Sequence, residues 1–260
     1  MIVIYTIIVR ITPKQKVRIY AMFKTVTNKE FDNFTEDQLI DWILNVMTVQ
    51  DYNNMITEHT TGDKLEFIKS INTNPLDNPI CIKRNMRKDL ICSKCFSIRR
   101  LKFRKNNNPK LSRNTRILTS AIIPDRAVPF LNALFFRIES FGDLQNDIQA
   151  INYINLILKN CLTQFAWFTK NPIFIKKALE KGYKKPDNVQ IIFSVCKINN
   201  ICTAAAIKRV FPFIDKIFIV CTGEYIDLNN ITVNCGGSHC YNCLNCFTPG
   251  GNEVVIEKVK

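Results

Sequence analysis

From residue 130 onward the chain alternates short, nearly unbroken apolar runs with amphipathic ones, and no other feature restricts its fold as much. Leu134-Phe-Phe-Arg-Ile-Glu139, Gln164-Phe-Ala-Trp-Phe168, Val189-Gln-Ile-Ile-Phe193 and Lys216-Ile-Phe-Ile-Val220 read as strands. Between them, Asp147 to Leu158, Pro172 to Lys181 and Ala204 to Val210 read as helices. Pro172 opens its helix and Gly182 stands just past the end, the usual asymmetry of helix termini. Apolar strands alternating with helices at a period of about 25 to 30 residues predict an α/β fold. Its parallel sheet is covered by helices. Four such units fit between residues 130 and 222. With further strands from 81–129, the sheet becomes a partial or full TIM-like barrel of (β/α) repeats.

The remainder is less regular. Residues 2–9 read as a β-branched strand. Thr35-Glu-Asp-Gln38 reads as a capping box opening a helix with Leu39, Ile40, Ile43, Leu44 and Met47 on one face. Residues 51–80 are polar and turn-rich. The expected organisation is an N-terminal extension, 1–80, and a (β/α) core domain, 81–260, with cysteine-rich metal-binding segments at both of its ends. The apolar opening MIVIYTIIVRI is shorter than the roughly 20 residues of a membrane helix and lacks a cleavage site of small residues. A cytoplasmic protein without membrane attachment is therefore expected.

Charge is concentrated. The formal net charge is +14, and residues 81–126 carry 14 basic and 2 acidic side chains. Such a block predicts binding of nucleic acid or a phosphorylated ligand. Arg99, Arg100, Lys102, Arg104 and Lys105 are its candidate contacts, and Phe96 and Phe103 interleave with them as stacking candidates. A solvated loop face is the plainer reading.

Seven of the 11 cysteines fall into two groups: Cys81, Cys92 and Cys95, and Cys235, Cys240, Cys243 and Cys246. In a reducing compartment, closely spaced cysteines point to metal rather than disulfide. Soft thiolates suit zinc, Cu(I) or iron–sulfur clusters. The dense terminal run is closer to iron–sulfur ligation than to the widely separated knuckles of zinc ribbons. Three thiolates in the first group would leave one iron of a cubane open. Alternatively, Cys81, Cys92, Cys95 and one distal cysteine could hold a zinc. Cys161, Cys196, Cys202 and Cys221 lie in apolar segments and are expected to behave as small core residues.

In parallel α/β folds, sites form where strands end. Arg137, Glu139, Asp143, Thr169, Lys170 and Ser194 gather there and are the candidate catalytic residues. Arg137 and Glu139 alternate along one strand and are expected on the same side. The only histidines are His59 and His239, and neither G-x-x-x-x-G-K-[ST] nor G-x-G-x-x-G occurs. Ordinary P-loop ATPase, Rossmann dehydrogenase and serine hydrolase chemistry are thereby disfavoured.

Arg137-Ile-Glu-Ser-Phe-Gly-Asp143 with Asn152-Tyr153, Trp167-Phe-Thr-Lys-Asn171, Lys185-Pro-Asp-Asn188 and Ser194 resembles the core of the phage gene product 88-like domain family. Cys92-Ser-Lys-Cys95-Phe96 and the run from Asn234 to Phe247 resemble its upstream knuckle and its terminal cysteine cluster. The resemblance implies a phage or prophage protein acting in the host cytoplasm and carries no activity. A weaker, architectural likeness connects the cysteine groups and (β/α) units to radical S-adenosylmethionine enzymes with an auxiliary cluster. That likeness implies an iron–sulfur enzyme using S-adenosylmethionine. Ten residues between Cys81 and Cys92 depart from its usual spacing, and no GGE-like motif follows the first strand. The competing expectation is a zinc-stabilised nucleic-acid-binding protein without catalysis.

Overall fold

β-branched and aromatic residues dominate the strand segments, and their alternation sorts two faces of one sheet. The computed structural model describes residues 56–58, 64–65, 68–103, 108–201, 203–236 and 239–259. The strand expected at 2–9, the helix opened by Thr35, His59, Cys202, Arg104 and Lys105 lie outside the described residues. The strands are β1 (Ile56–Glu58), β2 (Lys69–Ile71), β3 (Phe135–Ile138), β4 (Gln164–Thr169), β5 (Val189–Ser194), β6 (Lys216–Cys221) and β7 (Val254–Lys258). They lie in sequential order. β1 is antiparallel to β2, and β2 to β7 form six parallel strands.

The helices are α1 (Pro79–Asn85), α2 (Phe96–Phe103), α3 (Asn108–Ser120), α4 (Asp147–Lys159), α5 (Pro172–Glu180), α6 (Thr203–Val210), α7 (Gly223–Leu228) and α8 (Cys240–Cys243). The four strands expected between 130 and 222 are present, and so are the helices between them. The additional strands come from elsewhere than expected. Residues 81–129 supply α1, α2 and α3, whereas β2 and β7 lie at 69–71 and 254–258. β2 carries the sheet across residue 80 by pairing with β3. Among the described residues no pairing joins β7 to β1 or β2.

One face of the sheet is covered by helices. Phe136, Ile138, Phe165, Trp167, Ile191, Ile217 and Ile219 pack with side chains of α3, α4, α5 and α7 in a continuous core. The other face presents Phe135, Ala166, Phe168, Ile192 and Phe218. It is covered by Leu65, Ile68, Cys240, Leu244, Cys246 and Phe247. The terminal cysteine segment therefore forms the second layer of the fold. Among the described residues no helix is long and apolar enough to cross a membrane.

Buried asparagines fasten the loops around the sheet. Asn152 on α4 donates to the Leu118 and Ala121 carbonyls at 2.9 and 2.8 Å and accepts from the Ile123 amide at 2.7 Å. Asn160 accepts from the Leu131 amide and donates to the Pro129 carbonyl. Asn146 caps α4 by accepting from the Gln149 amide, and it also donates to the Thr119 carbonyl. These bonds close backbone groups that no ladder reaches, where an unpaired buried group is costly. Asn152→Ala should lower stability by about 2–4 kcal/mol, because it strands several buried backbone groups at once. Urea unfolding checks this, and a loss below about 0.5 kcal/mol would contradict it.

Candidate functional site

Two groups of reactive side chains are built on this frame, one at the carboxyl ends of the strands and one on the face opposite the crossover helices. The first begins where β3 stops. Glu139 adopts φ 60°, in the left-handed region. A non-glycine residue there is uncommon and reverses the strand alternation. Its carboxylate accepts from the Thr73 amide at 3.2 Å, from Thr73 Oγ1 at 2.8 Å, from Gln149 Nε2 at 2.7 Å and from the Tyr153 hydroxyl at 2.6 Å. Gly142, at φ 88°, closes the turn. A Cβ there would meet Thr73 Oγ1 at 2.2 Å, so the turn needs glycine. Arg137 and Glu139 thus do not share a side: Glu139 faces α4, and Arg137 faces the layer formed by the terminal cysteines.

Asp143 follows Gly142 and organises the mouth. Oδ1 accepts from the Thr169 hydroxyl at 2.7 Å, and Oδ2 accepts from the Lys170 amide at 3.1 Å and Arg84 Nη1 at 3.5 Å. Arg84 also donates to the Lys170 carbonyl at 3.2 Å, and Lys170 Nζ donates to Ser194 Oγ at 2.8 Å. Asn78 caps α1, accepting from the Ile80 and Cys81 amides, and donates to the Asp143 carbonyl at 2.8 Å. Five of the six candidate catalytic residues therefore lie together: Glu139, Asp143, Thr169, Lys170 and Ser194. Arg137 stands apart.

The first cysteine group borders this mouth. Cys81 sits on α1, Cys92 in the 3-10 turn Ile91–Lys94 and Cys95 at that turn's end. Asn85 Nδ2 donates to the Cys92 carbonyl at 2.7 Å. The Ile91 amide donates to the Cys196 carbonyl at 2.8 Å, which draws the segment after β5 into the group. Cys196, expected to be a core residue, is instead half-buried and stands beside Cys92. This contact raises Cys92 and lowers Cys196 to about 6. Burial and Asp143 raise the Cys81 thiol. Cys161 is exposed, and among the described scattered cysteines Cys221 is the one buried in the helix-side core.

The second group sits on the face opposite the crossover helices. Cys235, Cys240, Cys243 and Cys246, with Lys64, Leu244 and Phe247, line a cavity of about 60 Å³. The Cys235 amide donates to the Ile256 carbonyl at 3.0 Å and the Cys240 amide to the Lys64 carbonyl at 2.7 Å. Leu244, at φ 52°, turns the chain after α8 so that Phe247 is buried edge-on to Phe135, with ring centroids 5.7 Å apart. Two cations face the thiols. Lys64 is ion-paired to Glu257 and lies 3.9 Å from Cys235 Sγ. Arg137 lies over the Phe168 ring at 3.9 Å, and its Nε is buried with no hydrogen-bond partner. Burial pulls Arg137 below the arginine range, while nearby Cys240 and Cys246 oppose this. Burial raises the Cys246 thiol to about 12, against the pull of Arg137.

Among the described residues no three His, Cys, Asp or Glu side chains stand in an arrangement that could hold a single metal ion. The donor set is nevertheless four thiols around one cavity, which suits soft metals and their clusters. The basic block is partly helical. Arg99, Arg100 and Lys102 lie on α2, where Arg100 is 5.4 Å from the Phe96 ring centroid. Phe96 is 53% and Phe103 82% exposed. Cys196, Arg84 and Lys64 were not singled out by the sequence reading. Cys196 carries one usable signal: it stands two residues beyond Ser194, at a strand's carboxyl end. In comparisons with known proteins, the chain matches no family model, no curated protein and no solved structure.

Burial pushes the Glu139 carboxyl up to about 8, against the hydrogen bonds from Tyr153 and Thr73, and Asp143 adds to the rise. An unfolded glutamate releases its proton near pH 4.5. Between those values the folded state holds more protons, so stability falls as pH rises. Asp143, also raised by burial, acts in the same direction. One proton bounds the slope contributed by Glu139 at roughly 1.4 kcal/mol per pH unit. Urea unfolding across this window should show the decline, and Glu139→Gln should flatten part of it. A profile that the substitution leaves equally steep would refute the assignment.

Proposed function

We propose that the protein is a thiolate metal protein of the iron–sulfur kind. In this reading its terminal centre braces the face of a partial barrel opposite the crossover helices, and the strand-end mouth is the working site for a nucleotide or nucleic acid. One observation carries the reading: four cysteines and Lys64 line one cavity, and the buried Arg137 stands close enough to interact with Cys240 and Cys246. Four thiolates on a doubly positive core leave two negative charges, and Arg137 and Lys64, the latter shared with Glu257, stand where they offset part of them. A buried guanidinium is costly without compensation; the Phe168 face supplies part of it, and thiolates at Cys240 and Cys246 would supply more. The cavity is several times the roughly 10–15 Å³ that one water-sized probe fills, which favours a cluster over one zinc ion. When bound, such a cluster supplies electron storage and covalent bracing of the loop. The chain's own residues do the rest. Cys235, Cys240, Cys243 and Cys246 hold the centre, Arg137 and Lys64 balance its charge, and Lys170 and Ser194 offer donors to an anionic ligand at the mouth. The Arg137–Asp143 run that carries the likeness to the phage family lies at the junction of the two sites.

Protein purified without oxygen should be coloured and contain iron and sulfide. Cys243→Ser with Cys246→Ser should remove the terminal centre's share and lower the melting temperature. Colourless protein containing zinc alone would overturn the cluster, and metal-free protein would overturn the whole reading.

A second reading, nucleic-acid binding braced by zinc, is favoured by α2, where exposed Phe96 and Phe103 interleave with Arg99, Arg100 and Lys102. Single-stranded nucleic acid would stack on such rings while the cations neutralise phosphates. Binding should weaken with salt, with a log–log slope of about 0.7 per phosphate contacted. Charge reversal at Arg99 and Lys102 should reduce the slope while sparing metal content. Affinity unchanged between low and moderate salt, measured by fluorescence anisotropy, would contradict it.

A further inference from the structure

The basic block follows β2 in the chain, so it starts at the carboxyl end of the sheet, where the mouth lies. Residues 79–103 carry eight basic side chains and one acidic, and that acid, Asp89, is ion-paired with Arg87 at 2.7 Å. Three contacts fasten the segment over successive strand ends. The Phe96 ring packs against Phe141, just past β3, with centroids 6.0 Å apart. Arg84 Nη2 donates to the Lys170 carbonyl, just past β4, at 3.2 Å. The Ile91 amide donates to the Cys196 carbonyl, just past β5, at 2.8 Å. We infer that α2 and the mouth form one continuous track for a single-stranded polynucleotide, whose bases stack on α2 and whose backbone reaches Lys170 and Ser194. This rests on the reading of the mouth as a working site for a nucleotide or nucleic acid, and it makes the ligand a polymer rather than a monomer.

The burial pattern of α2 shows which way its rings point. Ile98 and Leu101 are buried, whereas Phe96, Arg99 and Phe103 are exposed. Residues 96, 99, 100 and 103 recur at helical spacing and share one stripe. Two rings, about 10 Å apart along the axis, thus flank two guanidinium groups on the face opposite Ile98 and Leu101. The aliphatic side chains do the packing, and the phenylalanines are left outward. An acidic peptide would be met by the cations alone. Rings set among them add stacking, which every base accepts.

Phe96 is the mouth end of the stripe. Its neighbour Phe141 stands two residues before Asp143, so the rings lead toward the strand ends. There Lys170 Nζ, with three N–H groups to donate, gives one to Ser194 Oγ at 2.8 Å among the described residues. The Asp143 side chain is 6% exposed against 22% for Arg84. The charge that a ligand meets at this point is therefore positive, which suits a phosphate.

The test uses full-length protein and fluorescence anisotropy. The probes are labelled oligothymidylate and oligouridylate of about 12 nucleotides, inside the roughly 4–16 nucleotides of single-strand sites. Either polymer should bind at least about ten-fold more tightly than its nucleoside monophosphate does as competitor, and the tighter polymer tells DNA from RNA. Phe103→Ala and Lys170→Gln should each weaken the oligonucleotide about five-fold or more, and Lys170→Gln alone should weaken the monophosphate. A monophosphate as tight as the oligonucleotide, or an affinity that Phe103→Ala leaves unchanged, would confine the ligand to the mouth and overturn the inference. An oligonucleotide weakened by Phe103→Ala and untouched by Lys170→Gln would mean two separate sites, which overturns it as well. If Lys170→Gln does not fold, ultraviolet cross-linking of a 4-thiouridine oligonucleotide to the unmodified protein decides. Adducts on both α2 and the mouth support the track, and adducts on α2 alone overturn it. If neither monophosphate nor oligonucleotide binds, the reading of the mouth itself fails and the inference falls with it.

Discussion

Six parallel strands wound in sequential order place their crossover helices on one face and leave the other for a different covering. Everything distinctive about this protein follows from how that second face is closed. The helices bury Phe136, Trp167, Ile191 and Ile219 in a continuous core. Phe135, Phe168 and Phe218 must be sheltered by the segment around Cys240–Phe247 instead. That segment brings few apolar side chains, chiefly Leu244 and Phe247, and its helix α8 spans only Cys240–Cys243. The layer's apolar burial is small, which is why the proposed shared metal would matter to its cohesion.

The turn after β3 separates the two sites. Glu139 in the left-handed region and Gly142 beside Thr73 send the Glu139 carboxylate toward α4 while Arg137 stays with the cysteines. Two charged residues two positions apart thus serve different faces. Asp143, next along the chain, then ties α1, the end of β4 and Arg84 into the mouth. The short run from Arg137 to Asp143 therefore connects both thiol groups mechanically without placing them in one site.

The sequence made the central strands and helices legible because their apolar pattern is long and unbroken. β2 was not legible: Lys69-Ser-Ile71 is three residues with one apolar side chain, followed by Asn72-Thr-Asn74, and its strand character comes from pairing with β3. β7 was missed because a mixed run after a glycine-rich turn carries no period of its own. The terminal cysteine cavity was foreseen from spacing. Cys196 was not, because an apolar context describes the strand it leaves and not the turn it enters. The Arg137–Glu139 pairing failed because alternation assumes extended backbone, and the strand ends one residue too early for that.

The placement of β7 gives the thiol loop one more role. β6 ends at Cys221 and β7 begins at Val254, and all four terminal cysteines lie in the chain between them. Docking β7 onto β6 requires closing that whole excursion, at an entropic cost that grows with the logarithm of its length. In the proposed reading, a centre held by Cys235 through Cys246 would shorten the excursion to two small arcs. The same loop already meets the last strand at Cys235, whose backbone pairs beside β7.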